Sequence, residues 1–180
     1  MQNWDVVYNF WFKEIDTSFW FKKSPAFDEE IRARFLDLHT KATLGELSIW
    51  RENPRGSLSE IILLDQFSRN MFRDSAMAFA FDSLALVLSQ EAIRRGDASQ
   101  LPPKERSFLY MPFMHSESLL IHEEAVNLFS EAGLEYNLEY EMKHKAIIEE
   151  FGRYPHRNKA LGRESTSKEI DFLKTPGSSF

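Results

Sequence analysis

The spacing of apolar residues constrains the fold of this chain more than any other feature. Apolar side chains recur at helical intervals almost throughout, and glycine and proline fall at the breaks between these runs. Such spacing is typical of amphipathic helices, whereas half-buried strands alternate with a period of two. The sequence therefore predicts an all-α protein, an array of about eight or nine antiparallel helices joined by short connections.

Capping residues and breakers give approximate limits for these helices. The spacing predicts helices over residues 3–14, 28–50 with a break near residue 39, 54–72, 82–95, 103–115, from residue 116 or 118 to 132, 135–151 and 167–173. It also predicts a further stretch from residue 74 or 75, a short helix from Pro155, and an extended segment at 18–24. Asp28 and Asp82 are the expected N-caps of two of them, Pro112 is expected to bend or end its helix, and Thr166 with Glu169 forms a capping box. The apolar stripe predicted for residues 135–151 contains Leu138, Met142 and Ala146.

Composition limits the class of protein. The chain has 180 residues, 43% of them hydrophobic, which suits one domain over residues 1–180. It has no cysteine, which excludes disulfides, thiolate metal sites and cysteine nucleophiles and suits a reducing compartment. The start lacks the basic region of a signal peptide, and no apolar run is expected to reach membrane-spanning length. We therefore expect a soluble, cytoplasmic protein, and we leave open whether it is a homo-oligomer.

Charge is unevenly distributed along the chain. The net charge of -6 argues against nucleic-acid binding, because the phosphate backbone requires a positive face. Residues 107–142 hold seven glutamates and no lysine or arginine, whereas residues 143–163 hold six lysines or arginines and two glutamates. Adjacent blocks of opposite sign are expected to pack together or to form separate faces.

The segment LSEIILLDQFSRNMF carries apolar residues nearly all round its predicted helix. A helix with no polar face is buried, so its polar residues Asp65, Gln66, Arg69 and Asn70 are expected to lie at least partly inside. Buried charges require partners, and Asp65 and Arg69 have the spacing of an ion pair on one helix face. The pair is either a closed contact that organises helix packing or part of a site.

A second polar cluster lies in MPFMHSES, where His115 shares a predicted helical stripe with Met111 and is followed by Glu117. His115 is either a hydrogen-bonded core residue or a functional imidazole. His122 lies beyond the break, and there is no H-E-x-x-H pattern or carboxylate set at ligand spacing. The sequence therefore predicts no metal site and no cofactor.

The third cluster is FGRYPHRN at residues 151–158, inside the basic block. Gly152 suits the left-handed end of one helix, and Pro155 suits the first position of the next. The backbone amides of residues 156–158 would then lie at a helix start, where an anion is favoured. The side chains of this predicted anion site are Arg153, His156, Arg157, Asn158 and Arg163. Alternatively, the arginines pair with glutamates of the acidic block and Asn158 holds a loop.

The strings LLDQFSRNMFR, LYMPFMHSES and FGRYPHRNKALGRESTSKEIDFLKTPGSSF resemble a bacterial family known as domain of unknown function nine-two-four. The likeness extends over essentially the whole chain, with serine at position 68 where proline is expected. It implies a tetratricopeptide-like α-α superhelix and no particular reaction. The three polar clusters are the segments that carry the likeness, so the resemblance also favours one composite site. A buried polar network shared by the family would produce the same pattern of motifs.

Three functions are consistent with these clusters. The first is a binding module whose groove holds a small anionic molecule or an acidic peptide or carboxylate. Its predicted lining is Asp65, Gln66, Arg69, Asn70, His115, Glu117, Arg153, His156, Arg157, Asn158 and Arg163. The second is a hydrolase or transferase for a phosphate- or carboxylate-bearing metabolite, with His115 or His156 as general acid/base, oriented by Asp65 or Glu117. The third is a structural protein whose clusters are closed inside the core.

Overall fold

A computed structural model describes residues 4–179. The protein is 71% helical, and no strand occurs in this range. The α-helices are α1 (Trp4–Asn9), α2 (Pro25–Thr43), α3 (Pro54–Ile62), α4 (Ser68–Met71), α5 (Asp82–Arg94), α6 (Pro103–Met114), α7 (Leu119–Phe129), α8 (Glu135–Phe151) and α9 (Ser167–Phe172). The prediction of an all-α protein is confirmed, whereas the tetratricopeptide-like superhelix stays a prediction.

The helix limits follow the capping chemistry more closely than the apolar spacing alone. Helix α8 has the predicted limits, and α9 begins at the predicted capping box, in which Thr166 and Glu169 each bond to the other's backbone N–H. Helix α2 begins earlier than predicted, because Ser24 is its N-cap and Pro25 occupies the first turn. It runs unbroken past His39 and ends at Thr43, short of the predicted limit.

Other predicted elements differ in kind. The opening helix continues from α1 through a π-helical turn, Phe10–Glu14, and residue 3 lies outside the described range. The segment expected to be extended contains a short 3-10 turn, Thr17–Phe19. The helix predicted from Pro155 is a three-residue 3-10 turn, Pro155–Arg157. Pro112 is tolerated inside α6, which ends two residues later at Met114 as the missing N–H predicts.

The helix predicted over 54–72 is one continuous body with a π-helical turn, Leu63–Phe67, between α3 and α4. It is buried as its apolar pattern predicts: Leu58, Ile62 and Phe67 have no exposed surface. Ser68, found where the family resemblance predicts proline, follows the π turn directly. Its hydroxyl donates to the Leu64 carbonyl and lies 2.7 Å from His39 Nε2, so a buried imidazole gains a partner.

The core lies between α1, α2, α3, α5, α6 and α7, and α8 packs on the outer side of α7. A smaller apolar cluster joins α8 to the C-terminal segment through Ile147, Ile148 and Tyr154. The predicted stripe of α8 is wrong. Met142 and Ala146 are exposed, and the buried face instead contains Glu141 and His144, two polar residues whose partners compensate for their burial.

Residues 76–94 differ from the expectation that no apolar run reaches membrane-spanning length. Ala76–Arg94 is the one stretch within residues 4–179 that is long and apolar enough, by composition, to cross a membrane, with a mean hydropathy of 1.4. However, its α-helical part is the 13 residues of α5, shorter than the roughly 20 that a span needs. Asp82 at the start of α5 is also ion-paired inside the protein, one position after the actual N-cap Phe81.

Candidate functional site

A cavity of about 540 Å³ opens between α4, the C-terminal end of α6, α8 and the turn at 155–157. Its charged lining residues are Lys22, Lys23, Arg69, Arg73, Arg157 and Asp74, and its imidazoles are His115, His144 and His156. Its other lining residues include Trp20, Phe21, Gln66, Asn70, Phe79, Met111, Met114, Tyr136, Tyr140, Tyr154 and Ser179. Five cations and one carboxylate thus line the hollow of a protein with a net charge of -6.

Asp65 and His115 form a hydrogen-bonded pair at the floor of this cavity. The two atoms, Asp65 Oδ1 and His115 Nδ1, are 2.7 Å apart. Burial would raise the pKa of Asp65, but the nearby Arg69 and His115 outweigh it and hold that pKa below its ordinary value. The ionised carboxylate therefore accepts from Nδ1–H, which leaves Nε2 of His115 as the basic ring nitrogen. Burial and Arg69 lower the pKa of His115, so its imidazole is neutral at neutral pH.

Arg69 and Arg157 share a single carboxylate, that of Asp82. Arg69 donates from both terminal nitrogens to the two Asp82 oxygens, each at 2.9 Å, and also lies 3.2 Å from Asp65 Oδ1. Arg157 reaches the same Asp82 at a longer 3.3 Å and gives its other terminal nitrogen to the His115 carbonyl. Asp82 thus compensates two guanidiniums, one half-buried and one buried, and Arg157 is the less fully neutralised of them.

Arg157 is the most enclosed cation of the cavity, with 6% of its surface exposed. Its guanidinium lies between the rings of Phe79 and Tyr154, 4.6 Å from each ring centroid, which fixes its plane. Its Nε is buried without a hydrogen-bond partner within residues 4–179. Burial and the proximity of Arg69 lower its pKa, so added negative charge beside it would be stabilising.

Two further imidazoles, His144 and His156, are neutral donors or acceptors. Burial lowers the pKa of each to about 3, and for His156 the charge of Arg157 contributes. His144 donates from Nδ1 to the Tyr140 carbonyl at 2.7 Å, which fixes its tautomer. The cavity therefore combines formally charged guanidiniums with imidazoles that carry no charge.

Behind the cavity, His122 and Glu141 form a pair with no exposed surface. His122 Nδ1 and Glu141 Oε1 are 2.6 Å apart, and His122 Nε2 donates to the Ser116 carbonyl. The Tyr154 hydroxyl lies 3.2 Å from the same nitrogen and donates to the Met114 carbonyl. Burial raises the pKa of Glu141. Within residues 4–179, no group of three or more metal-ligating side chains occurs.

The eleven predicted site residues divide into two groups. Gln66, Arg69, Asn70, His115, His156 and Arg157 line the cavity, with Asp65 directly behind Arg69 and His115. The other four predicted residues join the C-terminal segment to the body and lie outside the cavity; they are Glu117, Arg153, Asn158 and Arg163.

This second group forms a clasp of ion pairs. Arg163 donates twice to Glu117, at 2.7 and 2.9 Å, and Arg153 donates twice to Glu169. Asn158 donates to Ser165 and accepts from Arg163. The alternative prediction, in which arginine pairs with the acidic block and Asn158 holds a loop, describes the contacts of Arg163 and Asn158. Arg153 instead pairs with Glu169, which lies outside that block.

The predicted cradle of backbone amides is wrong for two of its members. The amide of Arg157 donates to the Tyr154 carbonyl, and that of Asn158 donates to the Pro155 carbonyl. The turn is too short to leave a row of open N–H groups of the kind found at the start of an α-helix.

Several lining residues were missed by the sequence reasoning. Tyr136, Tyr140 and His144 follow one another at intervals of four along α8, a spacing that places them on one helix face. That spacing was a usable signal. Asp82 was interpreted only as a helix cap, and no pattern in the sequence connects it with arginines 13 and 75 residues away.

Comparisons with known proteins give a consistent result. The profile of a family described as "Bacterial protein of unknown function (DUF924)" matches residues 7–177. The solved structure of a protein of unknown function from Agrobacterium tumefaciens, ATU0120, is similar with a TM-score of 0.90 and 40% sequence identity, over 95% of this chain and 96% of that one. No curated protein matches the chain. These findings confirm the resemblance inferred from the three motifs.

Proposed function

The chain belongs to the DUF924 family of bacterial proteins of unknown function, and from this premise we propose that it binds a small anionic molecule in the cavity between α4, α6 and α8. The observation that carries this proposal is the buried Nε–H of Arg157, a charged donor without a partner among the described residues. A buried donor left unpaired costs free energy, which an anion at this position would recover.

The electrostatic setting supports the same conclusion. Arg69 and Arg157 both donate to the carboxylate of Asp82. The exposed Lys22 and Lys23 add positive charge at the mouth of the cavity. A cleft in which cations outnumber carboxylates concentrates anions. The protein as a whole is acidic, so this cleft is a local exception that a general surface effect does not explain.

The size of the cavity favours a small molecule over an acidic peptide. Its volume of about 540 Å³ lies within the range of about 300–1,000 Å³ that is typical of small-molecule sites. The lining draws on six separate segments of the chain, and concave sites of this kind are typical for small molecules.

An enzyme is the second candidate, favoured specifically by the Asp65–His115 pair. A buried carboxylate that fixes the tautomer of a neutral imidazole is the arrangement of a general base. His115 lines the same cavity as Arg69 and Arg157, which could stabilise developing negative charge in a hydrolase or transferase.

The binding proposal is tested by thermal denaturation with a panel of organic carboxylates, phosphates and sulfates. We expect at least one anion to raise the melting temperature of the wild-type protein and to have little effect on Arg157→Gln. Arg94→Gln is the matched control, since Arg94 is 73% exposed and lies outside the cavity. Equal shifts in all three proteins, or no shift in any, would contradict the proposal. Chemical conversion of the bound anion, lost in His115→Asn with binding retained, would favour the enzyme.

A further inference from the structure

The two ends of the cavity differ in exposure and chemistry. At the floor, Arg157 and the flanking Met111 and Met114 are buried. At the mouth, Phe21 and Tyr136 expose 68% and 64% of their surface, and Tyr140 also remains accessible. An occupant whose anionic group reaches Arg157 must therefore extend past apolar side chains before it meets water.

The apolar lining is too extensive for an anion alone. Met111 approaches the floor closely enough for its sulfur to lie 3.4 Å from Gln66 Nε2, and the Phe79 ring covers one face of Arg157. Towards the mouth, the rings of Tyr136 and Tyr140 contact each other in a tilted arrangement, with centroids 4.9 Å apart. Adjacent large apolar side chains left exposed at the opening of a cleft are typical of ligand-binding grooves. A small anion with no apolar group attached would make no contact with this apolar lining.

The balance of charge distinguishes a monoanion from a dianion. Five cations line the cavity, against the exposed Asp74 and the three carboxylates of Asp28, Asp65 and Asp82 that pair with its arginines. One positive charge remains in excess, since the imidazoles are neutral. A monoanion cancels this excess, whereas a dianion would leave an uncompensated negative charge in a partly buried site, which is unfavourable.

We infer that the occupant is an amphipathic monoanion, a carboxylate carried on an aromatic or similarly apolar body, with its carboxylate beside Arg157 and its body along Met111, Phe79 and the α8 tyrosines. This inference rests on the proposed function and adds the chemical class of the ligand. Arg157 supplies the charged donor, and the aromatic mouth supplies the contact surface that selects against small inorganic anions.

The test is isothermal titration calorimetry of the full chain at neutral pH with four probes. 3-Phenylpropanoate has both the carboxylate and the apolar body, propanoate lacks the body, 2-phenylethyl phosphate replaces the carboxylate by a group close to a dianion, and inorganic phosphate lacks both features. We expect 3-phenylpropanoate to bind at least about tenfold more tightly than each of the other three, since each loses either the apolar contact or the charge match.

A substitution at the mouth separates body recognition from charge recognition. Tyr140→Ala is expected to weaken 3-phenylpropanoate by about threefold to tenfold and to leave propanoate unchanged, because an exposed aromatic contact is worth about 1 kcal/mol. Met142→Ala is the matched control, because Met142 is exposed on the same helix but outside the cavity; it should change neither affinity.

The outcomes distinguish this inference from the proposed function. Arg157-dependent binding in which either phosphate equals or exceeds 3-phenylpropanoate would overturn the ligand class and leave anion binding intact. Equal affinities for propanoate and 3-phenylpropanoate would overturn the apolar body alone. No binding of any of the four probes would count against both.

Discussion

Removing the shared carboxylate, by Asp82→Asn, should destabilise the protein, because two arginines beside the cavity both pair with it. The side chain keeps its shape, but Arg69 and Arg157 lose the anion that both contact. Breaking a buried ion pair from one side costs about 3–5 kcal/mol. Asp82 and Arg69 retain 16% and 21% side-chain exposure, so we take the lower end, about 3 kcal/mol, for this substitution.

That free energy converts into a measurable change in melting temperature. For a domain of this size each kcal/mol corresponds to about 2–4 °C, so Asp82→Asn should melt about 6–12 °C below the wild type. The measurement is urea unfolding followed by circular dichroism, together with a thermal scan. Asp37→Asn is the control, because Asp37 is 81% exposed and its partner is the exposed Lys41; it should unfold as the wild type does.

The same variant offers a second measurement, its stabilisation by an added anion. With Asp82 neutral, Arg69 and Arg157 attract exogenous anions more strongly, so formate should raise the melting temperature of Asp82→Asn more than that of the wild type. A loss of stability below about 1 kcal/mol, the range of exposed pairs, would show that solvent already compensates both guanidiniums. That result would refute the reasoning from a shared, confined carboxylate.

Two further predictions concern the scaffold. Gly56→Ala should cost about 3 kcal/mol or more in the free energy of unfolding, since an added Cβ would lie 2.0 Å from the Trp50 carbonyl oxygen. Gly45→Asn, whose added Cβ would meet no atom of residues 4–179 within 4 Å, is the control for urea unfolding, and similar midpoints would contradict the prediction. Arg153 and the Thr166 cap hold the pKa of Glu169 at about 2, below its ordinary 4.5, so its contribution to stability is complete above pH 4.5 and is lost as the pH falls through 2. Glu169→Gln should flatten the pH dependence of the melting temperature across that window, and an unchanged profile would show that the clasp is not coupled to folding.

The sequence predicts local structure well where the physical cause is itself local. The limits of α8 and the Thr166–Glu169 capping box follow from residues within a few positions of each other. The burial of Asp65 also follows from its own helix, because apolar residues surround it on every side. Such features require no knowledge of which helices are neighbours.

The rest depends on contacts between distant segments. The sequence predicts Glu117 and Arg163 in the same site as Arg157, yet Arg163 donates to Glu117 and closes a clasp outside the cavity. The π turn was missed for a different reason: one extra residue in a helical turn leaves the apolar pattern of a fully buried helix nearly unchanged. Pairings across long sequence separations are set by packing, which periodicity does not encode.

The π turn Leu63–Phe67 also rotates the second half of its helix relative to the first. Each residue advances an α-helix by about 100°, so a single inserted residue rotates everything that follows by that angle. Before the turn, Leu58 and Ile62 are packed inside the core; after it, Arg69 and Asn70 line the cavity. One continuous rod thus contributes side chains to the core before the turn and side chains to the cavity lining after it.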